Sequence, residues 1–192
     1  MKALKRIQYN SPVVLSFAGV ALLALLLGYL TKGWTTSYLF CVYRSSMLDP
    51  LTYVRAFGHV LGHVGYTHFA GNILMILVIG PALEEKYGSR PLLIAILFTA
   101  LVSGLVQVIL FPNSALLGAS GIVFMMIVMS SVGSFDEGRI PLTLILVVLL
   151  YLGGEVVNGI LNTDNVSQLT HIVGGVCGAV IGYILSKNKK QT

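Results

Sequence analysis

Residues 91–135 read PLLIAILFTALVSGLVQVILFPNSALLGASGIVFMMIVMSSVGSF, a run of 45 positions without Asp, Glu, Lys or Arg. A membrane-spanning helix takes about 20 largely apolar residues, so this run has the length for two. The break between them is expected at Phe111-Pro112-Asn113-Ser114, because proline ends a helix and the Pro-Asn pair favours a turn. Further charge-free runs at 7–31, 56–83, 140–154 and 165–186 hold one span each. The pattern predicts six helices, at about 12–31, 66–84, 91–111, 120–135, 140–158 and 168–186. Composition agrees: 10% of the 192 residues are charged and 56% hydrophobic, whereas soluble domains carry about 25% charged residues. A water-soluble globule is excluded, and strands are not expected, since open-edged backbone is costly in lipid. The chain reads as one all-α polytopic membrane domain, residues 1–192.

Lysine and arginine divide unevenly between the connections. With the N-terminus cytoplasmic, that side carries nine of them (Lys2, Lys5, Arg6, Lys86, Arg90, Arg139, Lys187, Lys189 and Lys190), and the other side three, Lys32, Arg44 and Arg55. The bias supports both termini inside, as six spans require. It also accounts for the net charge of +5 through topology and anionic headgroups, with no nucleic-acid partner. Lys2, Lys5 and Arg6 precede an apolar stretch as in a signal peptide, but Gly28-Tyr29-Leu30-Thr31-Lys32 offers no small-x-small cleavage site, so a retained first span is expected. Small size and the lack of a targeting extension favour a bacterial plasma membrane. The connection 32–58, with Trp34, Tyr38, Phe40, Tyr43, Met47 and Leu48, reads as a loop in the membrane interface. Cys41 and Cys177 fall at unequal depths and are expected to be free thiols.

Polar groups inside hydrocarbon are costly and mark functional sites by default. Four places stand out: His59-x3-His63-x4-His68-x3-Asn72 entering the second span, Gly118-Ala119-Ser120-Gly121 opening the fourth, His171-x2-Gly174-x3-Gly178-x3-Gly182 in the sixth, and Glu155 near the end of the fifth. His68 precedes Glu84, Ser120 precedes Asp136 and His171 precedes Lys187 by 16 residues each. At 1.5 Å per residue that is roughly 24 Å of a hydrocarbon core about 30 Å thick, so the three share one depth, roughly 6 Å beneath the outer surface. Spans two, four and six run in the same direction, and their N-terminal ends can converge there. A serine beside an imidazole has the elements of a nucleophile with its base. Gly118 and Gly121 permit a tight loop-to-helix entry. The unpaired N–H groups of a helix N-terminus suit a developing oxyanion, and His68 and Asn72, at i and i+4, add side-chain donors on one face.

Taken singly, each feature has an ordinary structural explanation. Ser120 could be a helix N-cap, His171 could bond a neighbouring carbonyl, and Gly174, Gly178 and Gly182 form a close-packing stripe on any reading. His59 and His63, also at i and i+4, could ligate a metal. Gly62 and Gly65 interrupt a regular helix there, and no acidic or cysteine ligand is near, so no metal or other cofactor is expected. Glu155 lies close to the expected helix end at Asn158 and is given no catalytic role.

In combination these motifs resemble the rhomboid family of intramembrane serine proteases, in order and on the corresponding spans; Glu84-x3-Gly88-Ser89 also matches the family's pattern. The resemblance implies a six-helix rhomboid bundle and a Ser120–His171 dyad without a metal. It further implies an oxyanion site from His68, Asn72 and the Ser120 backbone N–H, with Gly118 and Gly121 beside it. His59, His63, Glu84, Gly174 and Gly178 support the site, and Arg55 matches the arginine of a Trp-Arg motif in the first loop. Val54 stands where the family often has that tryptophan. Phe124 stands where many relatives have a tyrosine packed on the catalytic histidine, so the ring is kept and the hydroxyl lost. Implied partners are transmembrane-helix substrates and the bilayer, with lateral entry between spans two and five and the site open to the outer side. The competing readings are a catalytically weak rhomboid-like protein that binds membrane clients, and a small transporter or metal channel, which would want polar groups spread across the membrane.

Overall fold

The computed structural model describes residues 9–132 and 165–189 together with Leu142, Ile145, Leu146 and Leu149. The described elements are α1 (Pro12–Leu30), α2 (Trp34–Leu39), β1 (Val42–Tyr43), α3 (Pro50–Gly58), a 3-10 turn (His59–Leu61), α4 (Tyr66–Tyr87), α5 (Ser89–Leu110), β2 (Ala115–Leu116), α6 (Ser120–Val132) and α7 (Asn165–Lys189). Among the described residues, four helical stretches are long and apolar enough to cross a membrane: Pro12–Leu30, Tyr66–Tyr87, Ser89–Leu110 and Leu169–Lys187. The break between α5 and α6 falls where expected, with a turn at Pro112-Asn113. Of the span expected at 140–158, Leu142, Ile145, Leu146 and Leu149 alone are described, each helical, and Glu155 lies outside the described residues.

The α6 sequence, SGIVFMMIVMSSV, is apolar on nearly all sides, and a helix of that kind belongs in the interior. Ile122, Met125, Met126 and Met129 are fully buried. Against α6 lies α7, and the seam between them is backbone on backbone. A Cβ on Gly174 would overlap the Gly121 carbonyl oxygen and stand 3.1 Å from Gly121 Cα; one on Gly178 would overlap the Met125 carbonyl oxygen. At Gly182 the nearest atom would be Met129 Cα, at 3.2 Å. The glycine stripe is therefore a packing surface, as expected.

α1 packs on α4, where a Cβ at Gly80 would come within 2.6 Å of Val14 Cγ2. One helical turn on, the buried Glu84 carboxylate accepts from Val13 N at 2.9 Å, Val14 N at 3.0 Å and Ser89 Oγ at 2.7 Å. It thus satisfies two of the orphan N–H groups at the start of α1, at the positive end of the helix dipole. As a depth marker, Glu84 fails: it is turned into the protein, and α4 continues to Tyr87.

The connection 32–58 is more structured than a loop. Asp49 caps α3 by accepting from Leu51 N at 3.0 Å, with Pro50 as the first helical residue, a favoured pairing at a helix start. Nor are strands absent: β1 and β2 pair antiparallel, Val42 opposite Leu116 and Tyr43 opposite Ala115. Two residues each are too few to show as a period-2 pattern in sequence. Arg55, counted above as an outer-face charge, is buried, donating to Tyr38 O, Tyr43 Oη, Ser45 Oγ and, at 2.5 Å, Asp49 Oδ2. It ties α3 to the end of α2 and to β1. Trp34, Tyr38, Met47 and Leu48 remain exposed, as an interfacial segment requires. Cys41 and Cys177 are both free and buried.

Candidate active site

Ser120 is the first residue of α6, half-buried. The carbonyl of Ala119 accepts the first helical bond, from Val123 N at 3.0 Å, so Ala119 and not Ser120 holds the capping position. Just before it, Gly118 has φ +126, a backbone conformation that L side chains rarely adopt. Its N–H donates to His59 O at 2.9 Å, fixing the turn. A Cβ here would stand 2.8 Å from His68 Cε1 and 3.0 Å from Nε2, so the His68 ring lies directly on Gly118. Only glycine fits on both counts.

Gly121 packs on Thr170, with Thr170 Cγ2 3.1 Å from where a Cβ would sit. The next residue of α7 is His171, buried, and Phe124, one turn along α6, stacks on its imidazole with ring centroids 4.7 Å apart and planes 15° apart. The α6 N-terminus is thereby bounded by His171 on one side and His68 on the other. Asn72, one turn further along α4 than His68, is also buried, and its Nδ2 has no acceptor among the described residues. An amide donor without an acceptor is available to a substrate oxygen.

His59 and His63 serve the frame. His59 Nε2 donates to Ala100 O at 3.0 Å, pinning the 3-10 turn to α5, and His63 Nδ1 donates to Leu61 O at 3.1 Å. The His63 ring meets His68 edge-on at 5.0 Å and Phe69 at 5.4 Å, backing His68 from behind. Burial holds the pKa of His59 down to about 4, against the lesser opposing effect of the Ala100 bond. His63 is held to about 4 by burial first and by its His68 neighbour second. Both rings are neutral near pH 7.

The sequence also carries a buried polar stripe not singled out above: Thr99, Ser103 and Gln107, at i, i+4 and i+8 on one face of α5. Ser103 Oγ donates to Thr99 O at 2.7 Å and Gln107 Nε2 to Ser114 Oγ at 3.0 Å. The signal was present, since that spacing inside a charge-free run marks an inward stripe. Buried polar groups therefore extend along α5 and do not gather at one depth alone.

A model of the Rhomboid domain family matches residues 50–188. The chain belongs to the rhomboid family. It is 31% identical over 156 residues to Rhomboid-related protein 2 of Mus musculus (70% of this chain, 51% of that protein). Over 137 residues it is 31% identical to Rhomboid-related protein 1 of Caenorhabditis elegans (66% and 38%). Over 140 residues it is 28% identical to "Rhomboid-like protein 11, chloroplastic" of Arabidopsis thaliana (65% and 50%). The chain thus spans about half the length of these relatives, or less.

Proposed function

We propose that the chain is an intramembrane serine endopeptidase with a Ser120–His171 dyad, acting on transmembrane segments of other membrane proteins. The observation that carries this reading is the stack of Phe124 on His171 across a seam where α6 and α7 touch through backbone, one turn from Ser120. In a dyad without a carboxylate the imidazole is oriented by packing, and this stack supplies it. Ser120 Oγ attacks the scissile carbonyl carbon as His171 takes the hydroxyl proton. The new oxyanion faces the free N–H groups and positive dipole end of α6, with Asn72 Nδ2 and His68 as side-chain donors. Collapse breaks the C–N bond while His171 returns the proton to the leaving amine; water then cleaves the acyl ester by the same steps in reverse.

A helical substrate shields its carbonyls within its own hydrogen bonds, so cleavage favours segments unwound near small or helix-destabilising residues. The charge-free runs support six spans, and the lysine and arginine bias supports both termini at the cytoplasmic face, which puts the site toward the outer side. The test is cleavage of a labelled single-span substrate in proteoliposomes by wild type, Ser120→Ala and His171→Ala. Loss in both variants supports the dyad; no cleavage by folded wild type across several substrates replaces it with a client-binding role.

A further inference from the structure

Away from the site, an apolar groove of about 420 Å³ lies between α1 and α5. Phe17 and Val20 form one wall, Leu93 and Leu97 the other, and Phe57 and Val60 close it at one end. Val20, Leu93, Leu97 and Phe57 are exposed, so in a bilayer the groove opens sideways into lipid. Its length is fixed by backbone. α5 lines it from Ser89 to Ala100, about 16 Å at 1.5 Å per residue, against about 15 Å for one leaflet of a 30 Å hydrocarbon core.

The stop at that height is built in. His59 donates to Ala100 O, and a Cβ at Gly104 would stand 3.0 Å from Ala56 O, so the end of α3 and the turn after it are pinned against the middle of α5. The groove is blind at mid-membrane and open at the α5 N-terminus. There its lining becomes polar, with Ser16 and Ser89. Arg90 stands three residues before Leu93 and seven before Leu97, hence on the same face, and long helical side chains lean toward the N-terminus, here toward the headgroups. Arg90 is exposed, the one ion pair among the described residues is Arg55–Asp49, and Glu84 is turned inward. Arg90 does not line the groove itself, but by this spacing it stands beside the mouth, next to Ser89, as an un-neutralised guanidinium. At roughly 30 Å³ per methylene-sized group, the share of a liquid water, the groove takes on the order of a dozen such groups.

We propose that this groove holds one acyl chain of an anionic phospholipid from the leaflet at its open end, with the phosphate against Arg90. The inference rests on the membrane-embedded fold and not on the cleavage chemistry, so it is tested in the Ser120→Ala background. Detergent-purified protein is washed exhaustively, its retained lipid is quantified per chain, and its thermal stability is measured with added phosphatidylglycerol or phosphatidylcholine. The expected result is stoichiometric retention of phosphatidylglycerol and a rise in Tm of several degrees with that lipid and less with phosphatidylcholine. Arg90→Gln, a surface change, should lose the preference between the two lipids. Leu93→Trp, which fills the groove, should lose retention of both. Wild type free of lipid, Leu93→Trp retaining as much as wild type, or Arg90→Gln keeping the preference would each overturn the proposal. So would Leu93→Trp altering the oligomeric state with retained lipid unchanged, which would make the groove a helix-docking seat.

Discussion

Gly178→Ala, set beside Gly175→Ala, tests the α6–α7 seam with its own control. Both substitutions add one methyl to the same helix, three residues apart, and both gain about 0.4–1 kcal/mol from a less flexible unfolded chain where the site accepts a Cβ. At Gly175 the nearest atom is Val128 Cγ2 at 3.6 Å, an ordinary contact. At Gly178 the new Cβ overlaps the Met125 carbonyl oxygen and lies 3.0 Å from Met125 Cα. Backbone cannot rotate away as a side chain can, so the helices must part by about 1 Å, and a gap of that size forfeits roughly a quarter to a half of each dispersion well across the seam. Overpacking of this kind costs about 1–3 kcal/mol. The unfolded-chain gain cancels between them, so the two variants should differ by about 1–3 kcal/mol, roughly 2–12 °C in Tm for a chain of this length. Gly174→Ala presses instead on Gly121, next to Ser120, and a misplacement of about 1 Å at the reacting atoms costs on the order of 100-fold in rate. Thermal unfolding in detergent and cleavage in proteoliposomes read the two effects separately. Equal stability of Gly178→Ala and Gly175→Ala, or full cleavage by Gly174→Ala, would refute the backbone-contact reasoning.

Asn72→Ala should lower kcat by about 100- to 1,000-fold, the usual loss of an oxyanion donor; a loss under twofold in cleavage assays removes Asn72 from that role. Phe124→Tyr keeps the stacked ring and should cleave at close to the wild-type rate. Phe124→Ala gives up about 0.5–1.5 kcal/mol of ring contact and should lower kcat several-fold, with KM little changed. Glu84→Gln replaces an acceptor facing Val13 N and Val14 N with an amide that can turn only one oxygen to them, costing about 1–3 kcal/mol in denaturant unfolding, with substrate KM unchanged. For His59 and His63 the folded pKa of about 4 lies below the ordinary 6.5, so the unfolded chain binds more protons between those values. Their neutral-state stability is present above about pH 6.5 and lost as pH falls toward 4, at up to about 1.4 kcal/mol per pH unit for each ring. Tm measured from pH 7 to 4.5 should fall over that window, and a flat profile contradicts the burial of both rings.

Most of the helix positions were legible because the bilayer imposes one rule on sequence, about 20 apolar residues per crossing, and charges mark the ends. The proline turn at Pro112-Asn113 and the entry at Gly118 were legible for the same local reason, since few residue types accept those backbones. What escaped was tertiary. Glu84 looks in sequence like a charge at the membrane edge, yet it is turned inward because the N–H groups that need it belong to α1, seventy residues away. Arg55 looks like an outer-face charge, yet Asp49 and three oxygens from Tyr38, Tyr43 and Ser45 gather around it. Neither partner set has a spacing that periodicity can register. Within the site the division is the same. His68, Asn72 and Ser120 announce themselves, because a polar group in hydrocarbon is costly wherever it sits. The packing around two of them is set by glycines whose value lies in what they omit: a side chain at Gly118 displaces His68, and one at Gly174 displaces Gly121, next to Ser120. The missing methyl groups let the His68 ring lie on Gly118 and the backbone of α7 lie on that of Gly121, contacts that no spacing in the sequence records.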